Sequence, residues 1–76
     1  MTELEWMKQF GFNLKSIMNE WGINQEQLAL EVGVDRTTIN RYLNGRCMPT
    51  IKSIINLADV FECSTDDLIN FDERIE

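Results

Sequence analysis

Residues 36–44 read RTTINRYLN, and five of their side chains fall into two rows of spacing four: Arg36, Asn40 and Asn44, and Thr37 and Arg41. On an α-helix such rows form one continuous stripe. Ile39, Tyr42 and Leu43 fall on the opposite side and can be buried there. The stripe is suited to flat ligands approached edge-on. A guanidinium can fork onto guanine, a carboxamide can pair with adenine, and a threonine methyl can meet the methyl of thymine. None of the five is acidic, so the stripe itself does not repel phosphates.

A stripe of this kind works only if its helix is held firmly from behind. The residues before it supply the means. Asn24 with Gln27 three positions on has the form of a capping box, and opens a second helix whose Leu28, Ala29 and Val32 face inward. Ala29 fits a close helix crossing, and Gly33 provides a turn that needs positive φ. Val34 fills the turn, and Asp35 is placed to cap the third helix, which stops at Asn44-Gly45. The two helices are thus joined by a turn of three to four residues, which together with them makes a helix-turn-helix.

The rest of the chain is helical in pattern, with no sustained alternation of period two. Leu14, Ile17, Met18 and Trp21 mark a first helix from Asn13 to Trp21. Leu4, Trp6, Met7 and Phe10 extend a similar face upstream. Gly11, however, carries a penalty of roughly 1 kcal/mol in a helix interior, so residues 3–10 read either as a continuation or as a separate turn. Thr50 caps a fourth helix to about Phe61, expected to bury Ile51, Ile54, Ile55 and Ala58. Ser64 with Asp67 opens a fifth, carrying Leu68 and Ile69. The expectation is an all-α, five-helix domain over residues 13–70, with an N-terminal extension at 1–12 and a short acidic tail at 71–76.

Composition narrows the function. The 76 residues contain no histidine, the commonest general base and metal ligand, and offer little length to shape a water-excluding cleft. No enzyme, cofactor or small-molecule ligand is expected. No stretch approaches the roughly 18 apolar residues of a membrane span, and no signal segment is legible. Cys47 and Cys63 stand apart without a CxxC spacing and read as reduced thiols. The net charge is −6, but it is unevenly spread. Residues 24–55 are slightly basic, and the acids concentrate beyond residue 56.

With those features in hand, the segment NQEQLALEVGVDRTTINRYLNGRCMPTIKSIINLADVF resembles the helix-turn-helix domain of the phage lambda-type repressor and Cro family, often called XRE. The likeness rests on the N-Q opening, Ala29, Gly33, the apolar positions 28, 32, 34, 39 and 42, and the N-G-R ending, and it extends over roughly Asn13 to Ile69. It implies a cytoplasmic, bacterial or phage-encoded regulator of transcription that binds double-stranded DNA. Position by position, it implies that Gln25 holds a phosphate and braces the reading helix, and that Arg36, Thr37 and Arg41 read bases, with Asn40 beside them. Asn44 and Arg46 then fall at backbone-contacting positions. Lys52 is a further phosphate candidate, from charge and expected exposure alone.

A homodimer on a pseudo-palindromic operator is expected. Phe71 and Ile75 are candidates for its seam, as are Trp6 and Phe10 from the N-terminal extension. The bland alternative for those residues is a tail folded on the core. The net charge also motivates a second reading, a protein-interaction module of the same fold, antitoxin-like or anti-repressor, with little DNA binding. A third is that the chain is the DNA-binding part of a longer repressor.

Overall fold

The computed structural model describes residues 2–69. Five helices follow in order: α1 (Glu3–Trp21), α2 (Gln25–Val32), α3 (Arg36–Leu43), α4 (Ile51–Val60) and α5 (Thr65–Ile69), with no strand among the described residues. The first helix starts at a capping box. Thr2 Oγ1 accepts from the Glu5 N–H at 3.1 Å, and the Thr2 N–H donates to Glu5 Oε1 at 2.8 Å. The Thr2 N–H, and after it the Thr2 hydroxyl, hydrogen-bonds the Glu5 carboxylate and holds it below its ordinary pKa. The helix ends at Gly22, in the left-handed region at φ 66°.

Of the two readings of residues 3–10, the fold contains the continuation. α1 runs unbroken through Gly11, which is buried. Its backbone lies directly against the last turn of α3. A Cβ placed on Gly11 would sit 2.6 Å from the Tyr42 carbonyl oxygen and 2.7 Å from that of Leu43. Any side chain would therefore collide with backbone that cannot swing aside. The absence of a side chain, a liability for an isolated helix, is what allows two helices to meet here.

Around this contact the core assembles from every helix. Phe10, Leu14, Leu28, Ile39, Leu57 and Leu68 are fully buried, each contributing about 1.5–3 kcal/mol. Met18, Ala29, Tyr42, Ala58 and Phe61 complete the cluster. Trp6 stacks on Phe10 at 5.7 Å, and Phe10 meets the edge of Tyr42 at 5.8 Å. Phe10 is thus a core residue and has no surface left to offer a dimer seam. Asn13 Nδ2 donates to the Leu68 carbonyl at 2.8 Å and ties α1 to α5. Phe71, Ile75 and the acidic tail at 71–76 lie outside the described residues.

The fourth helix buries only part of the face expected. Leu57 and Ala58 are buried and Ile54 is half-buried, whereas Ile51 is 77% and Ile55 52% exposed. The inward face is therefore 54, 57, 58 and 61. Ser53 on this helix accepts from the α3 phenol, Tyr42 Oη to Ser53 Oγ at 3.0 Å. The helix packs on α2 and α5, which leaves Ile51 and Ile55 exposed. Leu30 is also exposed, on the outer side of α2.

Replacing Gly11 by alanine should lower stability by about 1–3 kcal/mol, the range of an overpacked core, although alanine favours helix. Urea denaturation followed by circular dichroism measures this, and an unchanged midpoint would contradict the close α1–α3 approach.

Candidate nucleic-acid interface

The capping box read from the sequence opens α2. Asn24 Oδ1 accepts from the Gln27 N–H at 2.8 Å, and the Asn24 N–H donates to Gln27 Oε1 at 2.9 Å. This fixes the first turn and with it Gln25, the first helical residue. The helix ends where Gly33 takes φ 83° and the Gly33 and Val34 N–H groups both donate to the Ala29 carbonyl, at 2.8 and 3.0 Å. Three residues later α3 begins. Asp35 occupies its N-cap position in extended backbone, but its side chain makes no capping bond. The expectation that Asp35 caps α3 is corrected in this respect. The start of α3 is set by backbone, the Asp35 carbonyl accepting from the Thr38 N–H at 3.0 Å.

Behind α3, Ile39 and Tyr42 are buried and Leu43 is half-buried. In front of it, Arg36, Thr37, Asn40, Arg41 and Asn44 are all exposed. The stripe exists as one surface. Thr37, Asn40, Arg41, Asn44, Arg46 and Cys47 together line an open depression of ≈ 480 Å³. Asn44 leads into Gly45 at φ 66°, and the Arg46 N–H returns to the Arg41 carbonyl at 2.9 Å, folding Arg46 back beside the stripe. Lys52 is exposed on the first turn of α4, outside that depression.

Gln25 joins the stripe across the turn. Asn40 Nδ2 donates to Gln25 Oε1 at 3.3 Å, and Asn44 Nδ2 donates to Asn40 Oδ1 at 3.1 Å and to the Asn40 carbonyl at 2.9 Å. Three carboxamides from two helices thus form one chain. A second depression, of ≈ 410 Å³, is lined by Asn24, Gln25, Glu26, Arg36 and Asn40. It brings an acid, Glu26, beside Arg36. Sequence reading did not find this acid at the surface, because it sits ten positions from Arg36 and only the fold of the turn makes them neighbours. Nor does anything in its local sequence mark Cys47 as part of the lining. Both cysteines are free, and burial, with Asp67 beside it, pushes the Cys63 thiol above its ordinary pKa.

Comparison with known proteins meets this geometry directly. The helix-turn-helix family HTH_3 matches residues 14–68, most of the chain. The chain belongs to the HTH_3 helix-turn-helix family. Among its relatives is the transcriptional repressor RstR of the cryptic phage CTXphi of Vibrio cholerae, 36% identical over 44 residues, 58% of this chain and 39% of that protein. An HTH-type transcriptional regulator of Archaeoglobus fulgidus is 35% identical over 61 residues, 80% of this chain and 86% of the relative. The chain thus spans well under half of the phage repressor and most of the archaeal protein.

Solved structures agree on the fold. The restriction-modification controller protein C.AhdI of Aeromonas hydrophila superposes with a TM-score of 0.79 at 26% identity, covering 82% of this chain and 94% of that one. An HTH_3 transcriptional regulator of Vibrio cholerae gives 0.86 at 22% identity over 97% of this chain and 42% of its own, a likeness of fold alone. The HTH_3 relatives are regulators of transcription. The lambda-repressor-like resemblance and the all-α fold are both upheld. Among the described residues, no helix is long and apolar enough to cross a membrane.

Because the Asn24 side chain closes a cap and the Asp35 side chain does not, their truncations should separate. Asn24→Ala is expected to lower stability by about 1 kcal/mol, or about 4–8 °C in Tm for a domain of this size. Asp35→Ala should lose less than half of that. Thermal melts of the two variants decide it, and equal losses would remove the distinction.

Proposed function

We propose that this HTH_3 domain is a sequence-specific regulator of transcription that binds double-stranded DNA in the cytoplasm by inserting α3 into the major groove. One observation carries the reading: Arg36, Thr37 and Arg41 are exposed together on the outer face of a helix buttressed from behind by Ile39 and Tyr42. In the proposed complex these three side chains read base edges, where an arginine fork on guanine discriminates by about 1–3 kcal/mol. Gln25, Arg46 and Lys52 meet the phosphate backbone, which sets register and carries no sequence information. The protein binds as a dimer to a pseudo-palindromic operator with half-sites about 34–36 Å apart.

Electrostatics support a specific rather than an indiscriminate binder. With a net charge of −6 the molecule as a whole is repelled by DNA. Attraction is confined to the few cations around α3, so affinity depends on well-placed contacts and on pairing two domains. Glu26 beside Arg36 adds a local repulsion. A second reading, a protein-interaction module of the same fold, is favoured by that net charge and by the exposed Leu30 and Ile51. Gel shift at low salt against random duplexes separates the two.

Selection of bound duplexes from a random library is the central test. It should return a half-site repeated with the stated spacing, and recovery of no enriched sequence would overturn the proposal. On the selected duplex, Arg36→Ala and Arg41→Ala should each weaken binding by about 1–3 kcal/mol and relax preference at one or two base pairs. Lys52→Ala should weaken binding evenly across sequences. Glu26→Gln should tighten binding by about 0.2–1 kcal/mol, a gain that fades as salt is added. Fluorescence anisotropy titrations at two salt concentrations measure all four.

A further inference from the structure

The carboxamide chain Asn44–Asn40–Gln25 has a direction, and that direction assigns different work to its members. Each link is donated by a nitrogen and accepted by an oxygen: Asn44 Nδ2 to Asn40 Oδ1 at 3.1 Å, then Asn40 Nδ2 to Gln25 Oε1 at 3.3 Å. The Asn44 nitrogen is further engaged by the Asn40 carbonyl at 2.9 Å. A carboxamide has one accepting oxygen and one doubly donating nitrogen. With one lone pair of the Gln25 oxygen engaged by Asn40, the donors Gln25 keeps are both N–H bonds of Nε2. At the far end, the group left to Asn44 is its oxygen.

The two ends therefore suit different partners. Gln25 offers donors beside the start of α2, where the first backbone N–H groups of a helix also favour an anion. A phosphate oxygen accepts and cannot donate. It suits Gln25 in this orientation and does not suit the oxygen that Asn44 has left. Asn40 lies between them. It is fixed at both its nitrogen and its oxygen, and it lines the depressions on both sides of itself.

We infer that Asn40 and Asn44 are positioning residues that hold the Gln25 carboxamide with its N–H groups outward for a DNA phosphate, and that Asn40 does not read a base. This rests on the DNA-binding reading and deepens it. It departs from what sequence resemblance implies, which places Asn40 among the base readers and Asn44 on the backbone. If Asn40 were removed, Gln25 would lose the bond that selects one of its two flipped orientations. The phosphate contact would then weaken without any change in which sequence is preferred.

The test is a double-mutant cycle on a duplex recovered from the random library, with a panel of single base-pair variants of that duplex. Gln25→Ala should weaken binding about 3- to 10-fold, as expected for a neutral hydrogen bond. Asn40→Ala should weaken it by a smaller factor in that range, evenly across the panel. The double variant should bind no more weakly than Gln25→Ala alone, because the role of Asn40 is exerted through Gln25. Circular dichroism melts confirm that each variant folds, and Asn40→Ser provides a smaller perturbation should Asn40→Ala unfold. Multiplying losses in the double variant, or a changed preference at one base pair with Asn40→Ala, would overturn the inference while leaving the DNA-binding reading intact. If the unsubstituted protein bound no duplex, that reading would fall and this inference with it.

Discussion

The approach of α1 to the end of α3 at Gly11 is the constraint on which the remaining architecture depends. Helices normally pack at 8–10 Å between axes, separated by their side chains. Here the α3 carbonyls of Tyr42 and Leu43 come so near that even a methyl group has no room. Phe10, next to Gly11 in sequence, reaches the edge of the Tyr42 ring from the same turn. The C-terminal end of the reading helix is therefore pressed against a nineteen-residue helix, while its N-terminal end is set by the short turn from α2. A helix of only eight residues has little stability of its own. Held at both ends and buried along one side, it can keep its outer face fixed.

Much of this was legible in the chain itself, and the reasons are local. The Asn24–Gln27 box, the Gly33 turn and the Thr50 cap are each specified within four residues, and each forms as read. Apolar spacing identified the inward faces of α2 and α3. The failures are of another kind. Ile51 and Ile55 have the right spacing for burial, but composition does not say which flank of α4 meets its neighbours, and the packing of α4 on α2 and α5 leaves them exposed. Gly11 looked like a weak point because helix propensity describes an isolated helix, whereas here a tertiary contact decides.

The candidate surface divides in the same way. Its outward stripe follows from a period of four and could be read from nine consecutive residues. Its relation to α2 could not. Gln25 and Asn40 are fifteen positions apart, and their bond exists only because the turn returns α3 across the start of α2. The acid at position 26 becomes a neighbour of Arg36 by the same fold of the chain. Sequence reading names which side chains are available, while the fold determines which of their atoms are already engaged.

The segment after α3 has a consequence for spacing. Gly45 packs against the backbone of Lys8 on α1, Arg46 returns to the Arg41 carbonyl, and Thr50 and Tyr42 meet on the same Ser53 hydroxyl. The linker from 44 to 50 is thus anchored at its start, near its middle and at its end. It behaves as a rigid gauge rather than a tether. The interval between the α3 stripe and the cation on α4 is a property of the folded domain, fixed before any ligand arrives, and a residue inserted or deleted there would alter that interval rather than be absorbed by slack.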